Sequence, residues 1–157
     1  MTTSFADNSW LLSPTYLGAR SSDWSTVESE TKRDDVVGWL HNPDRKPWSL
    51  CVPRKGGTQW VPFFPDFVFF RKVGDDVIDD IVDPHLLAAK DMPERAVWLA
   101  NYANKHADQY GRIEMVIYES ADDQTGKRLD LVREDLRRKV AAVTTRDQLK
   151  ALFHEQR

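Results

Sequence analysis

The order of apolar and polar positions divides the chain into a series of elements. Ser25-Thr-Val-Glu28 has capping-box spacing and predicts a helix that reaches about Arg33. Val36-Val-Gly-Trp-Leu40 follows as a short strand, closed by His41-Asn-Pro-Asp44, whose residues favour turns. Trp48 to Val52 reads as the next strand. Arg54-Lys55-Gly56-Gly57 then turns into an aromatic and β-branched run from Trp60 to Phe70. Pro62 and Pro65 cannot donate to a ladder, so this run should bulge or lie partly at an edge. Lys72-Val-Gly-Asp-Asp76 supplies a hairpin turn, and Val77 to Val82 returns as a strand.

Beyond His85 the period changes from that of a strand to that of a helix. Asp91-Met-Pro-Glu94 has the cap, the early proline and the acidic residue of a helix start. Met92, Ala96, Leu99 and Ala103 then recur at helical spacing up to a stop near Tyr110-Gly111. Ile113, Met115 and Ile117 predict a further strand, and Arg128 to Val132 another short one after the Asp122–Gly126 loop. From about Arg133 the pattern is helical, with a break at Thr144-Thr145. Residues 1–21 lack a sustained period and read as a leader, strapped to the surface or marking the cut from a larger parent. Residues 22–157 are expected to form a single α/β sandwich. Its mixed sheet should start with antiparallel hairpins, cross over through a helix to a further strand and end in C-terminal helices (133–157).

The hairpin also predicts a register. With the turn centred between Gly74 and Asp75, Asp66 sits directly opposite Asp83. Opposed residues share a face, and His85, two residues on, joins them. Two carboxylates and an imidazole on one face of an apolar hairpin are costly to bury without compensation by a cation or hydrogen bonds. A slip of one residue would separate them.

Composition narrows the functional classes. The 157 residues are one domain's worth, and 41% hydrophobic content with six Trp, seven Phe and four Tyr argues for a packed globule. A formal charge of −3 means that nucleic-acid binding would need a local basic patch. The single cysteine, Cys51, excludes an internal disulfide and a Cys-rich zinc site. There is no apolar run near the roughly 18–20 residues of a membrane span and no signal-peptide core, so a soluble, cytoplasmic chain is expected.

Two carboxylates with a nearby backbone carbonyl suit Mg²⁺ or Mn²⁺, which favour oxygen ligands and keep water or phosphate in the remaining positions. Such an ion activates water and offsets charge on a phosphodiester. The bland alternative is that this region is simply rich in Asp (Asp75, Asp76, Asp79 and Asp80 lie close by) and that Asp83-Pro84 is an ordinary way to leave a strand. No nucleophile elbow, Walker loop or dinucleotide fingerprint occurs.

A helix bearing Glu, a strand, Pro65-Asp66 on the next strand and Asp83-Pro84-His85 at the end of the following one resemble the PD-(D/E)xK nuclease core. Val36–Pro43, Phe64–Phe70, Ile81–His85, Trp98–Ala103 and Arg112-Ile-Glu114 are similar to the C-terminal segment of type III restriction and phage-defence helicases, a resemblance that covers about residues 24–135. It implies a restriction-endonuclease-like fold and a Mg²⁺- or Mn²⁺-dependent DNA endonuclease working in restriction or antiviral defence beside a helicase motor. Carried over, Glu30 (with Glu28 in reserve), Asp66 and Asp83 would bind metal. His85 stands where the family has Lys, with Lys90 as a possible replacement and Lys72 less well placed. A neutral imidazole could orient or deprotonate water near pH 7 but lacks a permanent charge for the phosphate. DNA contacts would come from Arg54, Lys55 and the late helix, Arg137 above all. The alternative is a catalytically inactive nuclease-like module that binds DNA or a partner protein.

Overall fold

A computed structural model describes residues 21–156; the leader falls almost wholly outside them. The elements are helix α1 (Ser21–Thr31), strands β1 (Val36–His41), β2 (Val52–Gly56), β3 (Gln59–Phe63), β4 (Phe67–Val73) and β5 (Asp76–Leu86), helix α2 (Met92–His106), strands β6 (Arg112–Tyr118) and β7 (Lys127–Asp130), and helices α3 (Glu134–Ala141) and α4 (Arg146–Glu155). A five-stranded sheet runs β1-β4-β5-β6-β7, while β2 and β3 form a separate hairpin. Among the described residues only β5 and β6 pair in parallel, and α2 is the crossover that a parallel pair requires.

The β4–β5 register is the expected one, with Phe67 opposite Val82 and Val73 opposite Asp76. Gly74, at φ +63°, takes the first position of the two-residue turn, a backbone conformation that side chains with a Cβ rarely adopt. Three other expectations need correction. The first helix begins at Ser21, so Ser25 lies inside it and Glu28 pairs with Lys32 at 3.0 Å instead of capping. The strand expected at Trp48–Val52 starts at Val52, because Asn42 ties Leu50 into a loop through its side-chain amide. The Trp60–Phe70 run is two strands on different sheets, divided at Phe64–Asp66, where Pro65 interrupts pairing; Pro62 lies inside β3, opposite Pro53.

Alternation along the strands sends two sets of side chains to opposite faces. On one face Val27 of α1 packs with Phe67, Phe69, Val82, Val116 and Tyr118. On the other, Ile81, Ile113, Met115, Ile117 and Leu129 pack under Met92, Ala96, Leu99 and Ala103 of α2, with Leu136 and Val140 of α3 and Leu149 and Phe153 of α4. Each large side chain so buried stabilises the fold by about 1.5–3 kcal/mol. The expected break at Thr144-Thr145 is the start of α4, where Thr145 and Gln148 close a capping box. The architecture is therefore mixed α/β, a sheet sandwiched between α1 and the α2–α3–α4 layer.

Candidate functional site

Asp66 precedes β4, and Asp83 and His85 lie near the end of β5, on the α2 side of the sheet. One ligand atom from each of Asp66, Asp83 and His85 lies within 4.8 Å of the others. Asp83 is fully buried. One of its oxygens accepts from the Asp66 backbone N–H at 3.0 Å, and the other from His85 Nε2 at 2.9 Å. Arg95, in the first turn of α2, donates to Asp83 Oδ1 at 3.2 Å and approaches Asp66 to 4.0 Å. Burial alone would push the Asp83 carboxyl up. His85, Arg95 and the Asp66 amide outweigh that and lower it from 3.8 to about 2, so the group is anionic at neutral pH. Asp66 and Arg95, each 17% exposed, form the solvent-facing edge of the cluster.

Phe63, at the end of β3, lies under the Arg95 guanidinium at 4.6 Å and packs against Trp98. The β2–β3 hairpin therefore braces the cation that holds Asp83. The Arg95 Nε is buried without a hydrogen-bond partner among the described residues.

Glu30, expected to join Asp66 and Asp83, does not. It faces the opposite side of the sheet, where Arg112 and Arg128 bind it; Arg112 Nη2 donates to its Oε2 at 2.7 Å. Those arginines also hold Glu114, Arg128 at 2.7 Å and Arg112 at 3.2 Å. Asp80 completes the network with Arg71 and Arg112. The geometric reason is parity, since Asp80 and Asp83 are three residues apart on β5 and must point to opposite faces. Glu28 is exposed in its pair with Lys32.

Lys90 is exposed in the turn before α2, and Lys72 is exposed at the far end of β4; neither is brought to the cluster. Arg54 stacks over Trp98 at 3.7 Å, and Lys55 lies 5.7 Å from the Trp60 ring. Arg137 is occupied with the backbone, donating to the carbonyls of Leu131 and Val132. The residue that sequence reasoning missed is Arg95. Its signal was present, because it lies three residues after Met92 and four before Leu99, on the buried stripe of α2.

Chemically, the arrangement offers two carboxylates and an imidazole to a divalent cation, a donor set that fits Mn²⁺ or Mg²⁺, with the imidazole favouring Mn²⁺. Arg95 would have to share Asp83 with such an ion.

Residues 15–157 match the YagJ family. Protein YagJ of Escherichia coli (strain K12) is similar to this chain, 36% identical over 135 residues, an alignment that covers 83% of this chain and 52% of that protein. The chain thus spans about half the length of the curated relative it matches. No solved structure matches. By the extent of the family match, the chain belongs to the YagJ family.

Proposed function

We propose that this domain is a divalent-metal-dependent nuclease of the PD-(D/E)xK type, with a restriction-endonuclease-like fold, which hydrolyses phosphodiester bonds in DNA. The observation that carries the reading is the convergence of Asp66, Asp83 and His85 within 4.8 Å on neighbouring strands. The element order supports it. A helix, a strand, Pro65-Asp66 leading into the next strand and Asp83-Pro84-His85 ending the one beside it follow one another as in the nuclease core, with the β2–β3 hairpin inserted after the first strand. Restriction or phage defence beside a helicase motor is the setting that goes with this reading.

In this reading Asp66 and Asp83 hold Mg²⁺ or Mn²⁺, which supplies an activated water and charge neutralisation at the phosphate. His85, whose Nε2 bonds Asp83, would keep that carboxylate in place and offer its other ring nitrogen to orient a water and accept a proton from it. Arg95, permanently charged, takes the phosphate-facing role of the family's Lys, while Lys90 is too exposed in its turn to be needed there. Glu30 has no part in it.

A second reading is favoured by Arg95 itself, since a guanidinium already neutralises Asp83. In it the domain is a catalytically inactive module that binds DNA or a partner protein. Cleavage of single- and double-stranded DNA under a Mn²⁺ titration, with wild type and Asp83→Asn, separates the two. The nuclease reading expects metal-dependent cleavage that the substitution removes. Binding that survives the substitution, with no cleavage at any metal concentration, supports the second reading.

A further inference from the structure

The β2–β3 hairpin carries a feature that hydrolysis at Asp66 and Asp83 does not use. Its register pairs Lys55 with Trp60 and Pro53 with Pro62, so these four share one face. All four are exposed, and Trp60 retains 62% of its accessible surface. The opposite face is the anchor, where Val52 and Phe63 are buried in the core and Arg54 stacks on Trp98 of α2. Trp48, in the loop leading into the hairpin, is 59% exposed. Large aromatic residues left open on a braced hairpin are unusual in a chain that buries most of its apolar groups.

Charge identifies the occupant. From Arg45 to Pro65 the chain carries Arg45, Lys46, Arg54 and Lys55 and no acidic residue, whereas the whole chain is −3. None of these four cations forms an ion pair among the described residues; Lys32, Arg33, Arg71, Arg95, Arg112, Lys127 and Arg128 all do. Of the four, Arg54 lies on the anchor face and Lys55 on the outer face, where it stands opposite Trp60 with no acid on that face of the hairpin. A cation beside an open indole suits an anionic polymer that also offers flat faces for stacking. Single-stranded nucleic acid has both, with unpaired bases to lie on Trp and phosphates to meet Lys and Arg. A duplex has its bases stacked away from such a surface.

We propose that the outer face of the β2–β3 hairpin, with Trp60 and Lys55, is a platform for single-stranded DNA. This deepens the nuclease reading by naming the form of its substrate. The six residues from Trp60 to Asp66 span at most roughly 20 Å, so a strand stacked on Trp60 lies within reach of the carboxylates.

The test is fluorescence anisotropy of the full chain with a labelled oligo-dT of about 20 nucleotides and with a duplex of the same length, in EDTA so that cleavage cannot occur. The expected result is tighter binding of oligo-dT than duplex, weakened about tenfold by Trp60→Ala and largely restored by Trp60→Phe. Lys55→Glu should weaken binding and lower the salt dependence by about one counterion. Circular dichroism confirms that each variant is folded. Equal or tighter duplex binding, no detectable oligo-dT binding at low salt, or oligo-dT affinity unchanged in Trp60→Ala would overturn the proposal, as would displacement by a proline-rich peptide and not by oligo-dT. The nuclease reading fails separately: oligo-dT binding that depends on Trp60, with no cleavage in any metal, retains the platform and removes the hydrolase.

Discussion

Asp80 and Asp83 are neighbours on β5, both fully buried, and they look out on opposite faces of the sheet. On the α1 face, Asp80 belongs to a network in which the buried carboxylates of Glu30, Asp80 and Glu114 meet Arg71, Arg112 and Arg128, and Arg71 reaches on to the part-exposed Asp35, which Arg33 also holds. On the α2 face, Asp83 and Asp66 meet one guanidinium and one imidazole. The first set is balanced by cations that never titrate, and through Glu30 it ties α1 to β6 and β7. The second mixes ligand types that suit a divalent cation and opens at Asp66. Buried acid alone therefore does not mark a functional site. What distinguishes the two faces, among the described residues, is the kind of partner: arginines alone on the α1 face, one arginine and an imidazole on the α2 face.

The largest effect expected on this contrast is structural. Arg112→Ala removes the partner shared by Glu30, Asp80 and Glu114, leaving buried charge uncompensated, and should cost about 3–5 kcal/mol in a urea unfolding experiment. A loss under 1 kcal/mol would mean that the network is not what holds α1. Next comes Arg95→Met. Taking a positive charge from beside Asp83 should destabilise the metal-free chain by about 1–3 kcal/mol and tighten Mn²⁺ binding about tenfold, because the ion no longer competes with a guanidinium. Calorimetry that finds weaker Mn²⁺ binding would show that the cluster does not hold the metal.

The hairpin register was legible in the sequence because its turn is only two residues long and needs glycine at one position, which leaves little freedom to slip. The same two-residue turn sets Asp66 against Asp83. The mixed sheet, the crossover helix and the C-terminal helices were legible for the same kind of reason, as long segments with one clear period. Glu30 was misplaced because periodicity says which residues of a helix face inward but not which side of the sheet that helix covers. Arg95 is hard to see in the sequence because it interrupts an otherwise apolar stripe of α2, and spacing along the helix does not say that this stripe crosses over the end of β5. The division of the Trp60–Phe70 run between two sheets depends on what the β2–β3 hairpin packs against, and no local pattern encodes that.

Smaller effects sharpen the contrast further. On the α1 face two glutamates respond to acid in opposite senses. Burial opposes ionisation of Glu30, but Arg112 and Arg128 prevail and its folded pKa lies below 4.5. It stabilises the fold above 4.5, and that contribution is lost as pH falls through the folded value. Burial prevails at Glu114, whose folded pKa lies above 4.5. Its contribution is present below 4.5 and is lost as pH rises through the folded value. Urea midpoints between neutral pH and about pH 3 should therefore fall less steeply in Glu30→Gln than in wild type, and more steeply in Glu114→Gln. Parallel curves would contradict the assignment. The smallest effect is expected of Glu28→Ala, which removes an exposed pair with Lys32 and should change stability by no more than about 0.5 kcal/mol.

The central claim is that the α2-face cluster holds a metal that cuts DNA, and Mn²⁺-dependent cleavage by wild type and Asp83→Asn tests it most directly. The account predicts cleavage that rises with Mn²⁺ in wild type and is absent in a folded Asp83→Asn chain, with Mn²⁺ binding lost alongside it. Wild type that neither binds Mn²⁺ nor cleaves, or an Asp83→Asn chain that cleaves as well as wild type, would contradict it.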